Sequence, residues 1–425
     1  MLFMNKNILL TQKVPGVLVM CLTFMSGDLA ATAAANYEMP PGLRAGEVLS
    51  AGLLRSPNHQ VLDEIKYAGY LFQFELETDY GTEVVTSKAL LKIRVHEATV
   101  IAEASNAMPQ RTEALESGVV SQPGDRGYLA ARPADSRSDV DGGVQYSQIK
   151  LTGKKKMRPR QPAEDNATGI PGSVSPMDSD PAFGAHKRAI AARLQMDVYT
   201  SNQVAQGLLN KLTRARAAGG APLGAGFFVE RDPETKLVRG LVDTDVRRAL
   251  KDNTQDELRE LNDRVLATLM IPAEVRQRFL DHPAFTPRNT TYIAAYLEHL
   301  GSVEGRESFL LAALSAGDET QALFYEQWAR MLAVYDEQVE ALEKLSQVGS
   351  TVTALTTSGV LVLAQPVDIV YWSEHFDSLT DTADSLYGGT ALRGRELLVT
   401  GMVTKSARRE LEGRGYTVRE RFLTK

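Results

Sequence analysis

Residues 109–182 limit what the rest of the chain can become. They carry eight of the 18 prolines and only two aromatic residues, Tyr128 and Tyr146. A stretch this poor in large apolar side chains cannot bury enough surface to offset the entropy of ordering it. It is expected to be a disordered, Pro-rich linker, leaving the flanking stretches of the 425-residue chain to fold. Inside it, Lys150, Lys154, Lys155, Lys156, Arg158 and Arg160 form a basic run with no aromatic between them. Without rings to stack on bases, that run is expected to be a solvated charge block. The chain has 47 Lys and Arg against 53 Asp and Glu, a net charge of −6. That balance argues against general nucleic-acid binding.

Residues 1–35 read as a signal peptide. Lys6 and Lys13 come first, an apolar run from Gly16 to Met25 follows, and Ala30 to Ala35 are nearly all alanine. The order basic, apolar, small is what export requires, with cleavage expected before Asn36. The apolar run is about ten residues, half of the ~20 needed to cross a bilayer. The expected location is therefore periplasmic or secreted. Cys21 is the single cysteine, and Met20 stands where lipid attachment needs a small residue. It is expected to leave with the signal, so no disulfide framework is available. The later apolar run from Gly359 to Trp372 is broken by Gln365, Pro366 and Asp368. No transmembrane segment is expected in the mature chain.

The expected fold class is α+β. Residues 36–108 form a small hairpin–helix module, 183–350 a helical region, and 351–425 a small mixed α/β sheet region. In the first, Tyr70, Phe72, Phe74 and Leu76 alternate with more polar neighbours, which is the period of a half-buried strand. Gly81 turns the chain, Thr82 to Val85 return, and Ser87 caps a helix reaching about Asn106. In the second, helices are expected at Ala185–Leu194 and Asn202–Ala217. Thr254 with Glu257, and Thr286 before Pro287, give two further start signals. Asp318 opens the longest run, whose apolar stripe continues through Val339, Leu342 and Leu345 to predict one helix reaching Val348. In the third, Val352–Leu355 and Val360–Ala364 form a hairpin. A helix over about 367–387, a strand at Leu397–Thr400, a helix from Thr404 and a strand from Tyr416 to Phe422 follow.

Chemical motifs are mostly missing. None of the six histidines lies three to five residues from another, and Val100 stands where a zinc-protease helix beginning at His96-Glu97 needs its second His. Asp135 to Gly143 fail the spacing of a calcium loop in both registers. Gln148 stands where a phosphate loop needs its first Gly. No Gly-x-Ser-x-Gly elbow occurs. No metal and no cofactor are expected, and no catalytic residue is assigned. Tyr371, Trp372, Glu374 and His375 lie in the densest aromatic and titratable cluster and are the candidate binding residues. The competing reading of that cluster is a helix face packed on the sheet.

Two stretches resemble exported bacterial proteins of no assigned function. One runs from Asp79-Tyr80-Gly81 through Leu90-Leu91-Lys92-Ile93-Arg94 to Ala102-Glu103. The other is Met196-Asp197-Val198-Tyr199-Thr200-Ser201-Asn202. The resemblance implies export and the same order of regions, and it transfers no activity. The functional expectation is an exported envelope protein acting by binding, as a scaffold or accessory factor for a protein or envelope-polymer partner. The alternative is an exported hydrolase with a dispersed active site.

Overall fold

The N-terminal module begins with two single-turn helices, α1 (Ala45–Val48) and α2 (Ala51–Leu54), and three short strands, β1 (Arg55–Ser56), β2 (His59–Val61) and β3 (Lys66–Ala68). These are too short for periodicity to announce. The expected hairpin follows as β4 (Leu71–Thr78) and β5 (Gly81–Thr86), paired antiparallel through Thr78 and Gly81. Phe72, Phe74 and Leu76 are buried on one face of β4, as the alternation requires. Ser87 accepts the Leu90 N–H and starts α3 (Lys88–Ala107). The computed structural model describes residues 37–108, 180–220, 223, 224, 227, 229, 241–387 and 392–423. The signal expected over 1–35, the basic run at 150–160 and all of the linker up to residue 179 lie outside the described residues.

The helical region starts two residues earlier than composition suggests. Asp180 accepts the Ala182 N–H and Pro181 opens α4 (Pro181–Leu194). This proline is a helix-start residue, not a linker one. Asn202 caps α5 (Gln203–Ala217) through the Val204 and Ala205 N–H groups. Then come α6 (Asp243–Asp252), α7 (Gln255–Thr268), α8 (Ala273–Leu280), α9 (Pro287–His299), α10 (Arg306–Ala313) and α11 (Glu319–Gln338). Thr254 and Thr286 each make the reciprocal cap with the residue three on, Glu257 and Asn289.

The expected 31-residue helix does not form. Helix α11 ends at Gln338, and β6 (Leu342–Val348) follows. Leu342 and Leu345 are both buried although they are three apart, a spacing that reads as helical. A β-bulge between Leu342 and Lys344 shifts the register and brings both to the same face. Beside β6, the parallel bridge of Glu304 to Lys344 presses Gly305 against the Leu345 carbonyl. Gly305 has φ +73°, and a Cβ there would overlap that oxygen and lie 3.2 Å from its carbon. Gly305→Ala is expected to cost about 3 kcal/mol, from the left-handed backbone and the overlap together. Urea unfolding of the purified variant checks this against Gly413→Ala, a helical position with nothing within 4 Å.

β7 (Thr351–Thr356) and β8 (Val360–Gln365) complete an antiparallel meander with β6. The chain then alternates β9 (Ile369–Val370), α12 (Glu374–Leu386), β10 (Gly394–Val399), β11 (Met402–Val403), α13 (Lys405–Gly413) and β12 (Tyr416–Arg419). The helix expected from Val367 starts only at Glu374, because Ile369 and Val370 are fully buried as a strand paired with β11. The last strand stops before Phe422, since Arg421 takes φ +51°. The main sheet has the order β12-β10-β8-β7-β6, and β8, β10 and β12 run parallel. Val362, Ala364 and Leu398 pack one face against the helical core of α9, α10 and α11. Leu363, Leu397 and Val399 pack the other against Trp372, Phe376, Ala407 and Leu411 of the α12–α13 layer. Burial on both faces explains the unbroken run Val360-Leu361-Val362-Leu363-Ala364. The described residues are thus mixed α+β, with a helical middle and a C-terminal sheet. No described helix is long and apolar enough to cross a membrane.

Candidate functional site

Three parallel strands end on one edge of the sheet, and a cleft of about 630 Å³ opens there. In α/β sheets the carboxyl ends of parallel strands are where ligands bind, since loops diverge there and leave a crevice. Pro366 and Asp368 follow β8, Thr400, Gly401 and Met402 follow β10, and Arg421 follows β12. The facing walls are the first turns of α3, with Lys88 and Lys92, and one flank of α11, with Phe324, Gln327 and Arg330.

Asp368 joins these walls. Its carboxylate accepts the Phe72 N–H at 3.0 Å and the Lys88 N–H at 3.1 Å, capping α3 from another element. Its own N–H and that of Ile369 donate to the Tyr70 carbonyl, each at 3.1 Å. Its carbonyl accepts the Met402 N–H at 3.1 Å. Burial pushes the carboxyl from its ordinary 3.8 up to about 6, against the pull of the two N–H donors and of Lys88 and Lys92. A carboxyl in a cleft with a raised value is what a hydrolase would use. Here its oxygens are committed to backbone N–H groups, which makes it a structural tie.

A raised folded value means that the contribution of Asp368 to stability is full below about 4 and is lost as pH rises through about 6. Asp368→Asn cannot ionise. Relative to that variant, the wild type is expected to lose about 2 kcal/mol between pH 4 and 7. Urea midpoints at four pH values across that range check the sign.

Five cations line the cleft, Lys88, Lys92, Arg288, Arg330 and Arg421, against two carboxylates, Glu47 and Asp368. The Lys88 ammonium donates to the Val48 carbonyl at 2.8 Å, which is neutral and leaves its charge in place. Arg288 differs from the others. It pairs with buried Glu326 at 2.6 Å, has Asp197 at 4.0 Å, and stacks on the Tyr292 ring with 4.8 Å to the centroid. Lys92, Arg330 and Arg421 also have interactions of their own within the chain. A smaller pocket of about 80 Å³ adjoins, sharing Lys92, Ile93, Arg288 and Leu323 with the cleft.

Glu97, Thr200 and Glu319 on the wall of this small pocket belong to a buried ionic network centred on Arg94 of α3. Its guanidinium donates to Glu97 at 3.0 Å, Ser201 at 2.7 Å and Glu319 at 2.6 Å. The Thr200 hydroxyl and the Asn202 amide donate to Glu97, which is 1% exposed at the residue level. Burial raises the Glu97 carboxyl, opposed by Arg94 and by the hydrogen bonds of Thr200 and Asn202. The two stretches singled out for their resemblance, 79–103 and 196–202, thus meet each other here.

The four residues proposed from sequence lie at the start of α12, away from the cleft. Trp372 is buried among α12 and α13, with its ring 6.4 Å from that of Phe376 and the Arg414 guanidinium 4.8 Å above it. Tyr371 and His375 meet over Tyr70, at 5.1 and 6.0 Å between centroids. Glu374 is exposed at the first turn of α12. None of the four lines the cleft. The residues that do line it are scattered over separate elements, with Lys88 and Lys92 together on α3. The one signal in the sequence was Asp368, an acid inside an apolar run. Among the described residues, no group of three or more His, Cys, Asp or Glu is placed to hold a metal ion.

Compared with known proteins, the chain matches no family model, no curated protein and no solved structure.

Proposed function

We propose that this is an exported protein that acts by binding, a scaffold or accessory factor of the cell envelope whose partner enters the cleft at the carboxyl edge of the sheet. The observation that carries the reading is the cleft itself. All three regions of the fold contribute a wall, its volume is in the range of ligand sites, and apolar, neutral polar and charged side chains line it together. Export is supported by the order of charge and apolarity in residues 6–35.

Fractionating the native host and weighing the intact protein tests the location. A mass beginning near Asn36, found in periplasm or medium, is expected. A full-length mass in the cytosol would overturn export. For the binding half, Gln327→Trp should fill the cleft from α11. The native protein is expected to sediment with the envelope fraction and the variant to be released from it. Equal sedimentation of the two would contradict the role of the cleft.

A further inference from the structure

We propose that the open edge of β5 takes an added β-strand from a partner protein, an extended segment with Lys or Arg at alternate positions. This surface is separate from the cleft and stands whether or not the cleft binds.

The backbone is the first reason. The Ser87 N–H donates to the Phe72 carbonyl, so Ser87, Val85, Glu83 and Gly81 turn their main-chain groups toward β4. Thr82, Val84 and Thr86 alternate with them and turn theirs outward. β2 and β3 share the other side of β4, where the Leu62 N–H reaches the Glu75 carbonyl. Nothing among the described residues pairs with the outer side of β5. Strand edges are ordinarily blocked by a proline, a lysine, a bulge or brevity. β5 has six residues, no proline, no lysine and an unbroken register. A row of unpaired amide and carbonyl groups is what an added strand recognises.

The side chains say which strand fits. Glu75 and Glu77 of β4 stand opposite Val84 and Thr82 and share their face. All four are exposed, Val84 by 68%. Neither glutamate has an ion pair among the described residues. Lys66 and Arg55 lie on the same face but on the far side of β4, opposite Gln73 and Gln60 and not opposite the glutamates. An added strand lies about 4.8 Å from β5, and so about 10 Å from β4. A lysine or arginine opposite Val84 can lay its stem over that valine and bring its charge to Glu75. Another, two residues away, does the same over Thr82 for Glu77. Glu83, on the other face, already has Arg94 at 3.6 Å. A second copy of the chain offers no such match, because Gly81–Thr86 contains no cation.

Fluorescence anisotropy of the purified chain with the labelled peptide Thr-Lys-Val-Lys-Thr-Lys-Val tests this. A second peptide carries Glu for each Lys. A third keeps the lysines but is N-methylated at alternate residues, which removes ladder donors without changing charge. The first is expected to bind one to one and to weaken as salt rises. The second should not bind, and the third should bind at least tenfold more weakly than the first. Glu75→Gln with Glu77→Gln changes two exposed side chains and should fold. It is expected to weaken the first peptide about tenfold, the loss of two exposed ion pairs. Val84→Pro removes an outward N–H and leaves the pairing with β4 in place, so it should abolish binding. Glu274→Gln, exposed on α8, should change nothing. Failure of the lysine peptide to bind, equal binding of its N-methylated form, or equal affinity in the edge variants would overturn the proposal. A dimer of the free chain that Val84→Pro splits would put a second copy on the edge and overturn the basic partner. Replacing the six basic residues between 150 and 160 by Gln should leave affinity unchanged. A tenfold gain would assign the edge to the chain's own basic run and equally overturn it.

Discussion

Gly401→Ala is expected to separate the N-terminal module from the sheet and to abolish the cleft. A Cβ at Gly401 would overlap the carbonyl of Asp368 and lie 2.7 Å from its Cα. These are backbone atoms, so no rotamer change relieves the overlap. They are also held, since the Asp368 carbonyl accepts the Met402 N–H and its carboxylate caps α3. Relief requires moving β9 from β11, and with it the hydrogen bonds to Tyr70, Phe72 and Lys88. The expected cost is above ~4 kcal/mol, beyond the usual range for a single substitution. Urea unfolding of Gly401→Ala beside Gly413→Ala measures it. A loss under ~1 kcal/mol would show that the contact is not held as described.

Arg94→Met carries the second large effect, for an electrostatic reason. Glu97 is buried, and Arg94 is its only cationic partner among the ion pairs of the described residues. Removing the cation leaves a carboxylate in the interior with only Thr200 and Asn202 to satisfy it. Breaking a buried pair in this way costs ~3–5 kcal/mol. The double variant Arg94→Met with Glu97→Gln is expected to be more stable than Arg94→Met alone. Glu319 is left by both variants, but its side chain is 36% exposed and can hydrate. The deficit also depends on pH. Glu97 already has a raised value, and losing Arg94 raises it further. A group raised in the folded state contributes most below its unfolded value and loses that contribution as pH rises. The deficit of Arg94→Met against wild type is therefore expected to be smaller at pH 5 than at pH 8. Urea midpoints of the three proteins at both values check the sign.

Much of the fold was legible because its signals are local. The alternation from Tyr70 to Leu76 gave β4, and Ser87, Asn202, Thr254 and Thr286 marked helix starts that the structure keeps. What failed were signals that depend on a neighbour. The bulge in β6 imitates a helical stripe, and only pairing with β7 decides between them. Ile369 and Val370 look like the start of α12 until β11 lies beside them. The site was hidden for the same reason. The spacing of Arg94 and Glu97, or of Lys88 and Lys92, on α3 is the same whether the helix face meets water or a neighbouring element. Their meaning changes when 196–202 covers the first pair and the ends of β8, β10 and β12 face the second. The aromatic cluster around Trp372 drew attention by density, yet most of that density is packing on the sheet.

Hydrogen exchange of the chain with and without isolated envelope material tests most directly whether the carboxyl edge of the sheet is where this protein binds. Slowed exchange is expected over Lys88 to Ile93, Pro366 to Asp368, Thr400 to Met402 and the segment around Arg421, with α5 and α12 unchanged. Protection centred instead on Tyr371 and His375, or spread evenly over the chain, would contradict it.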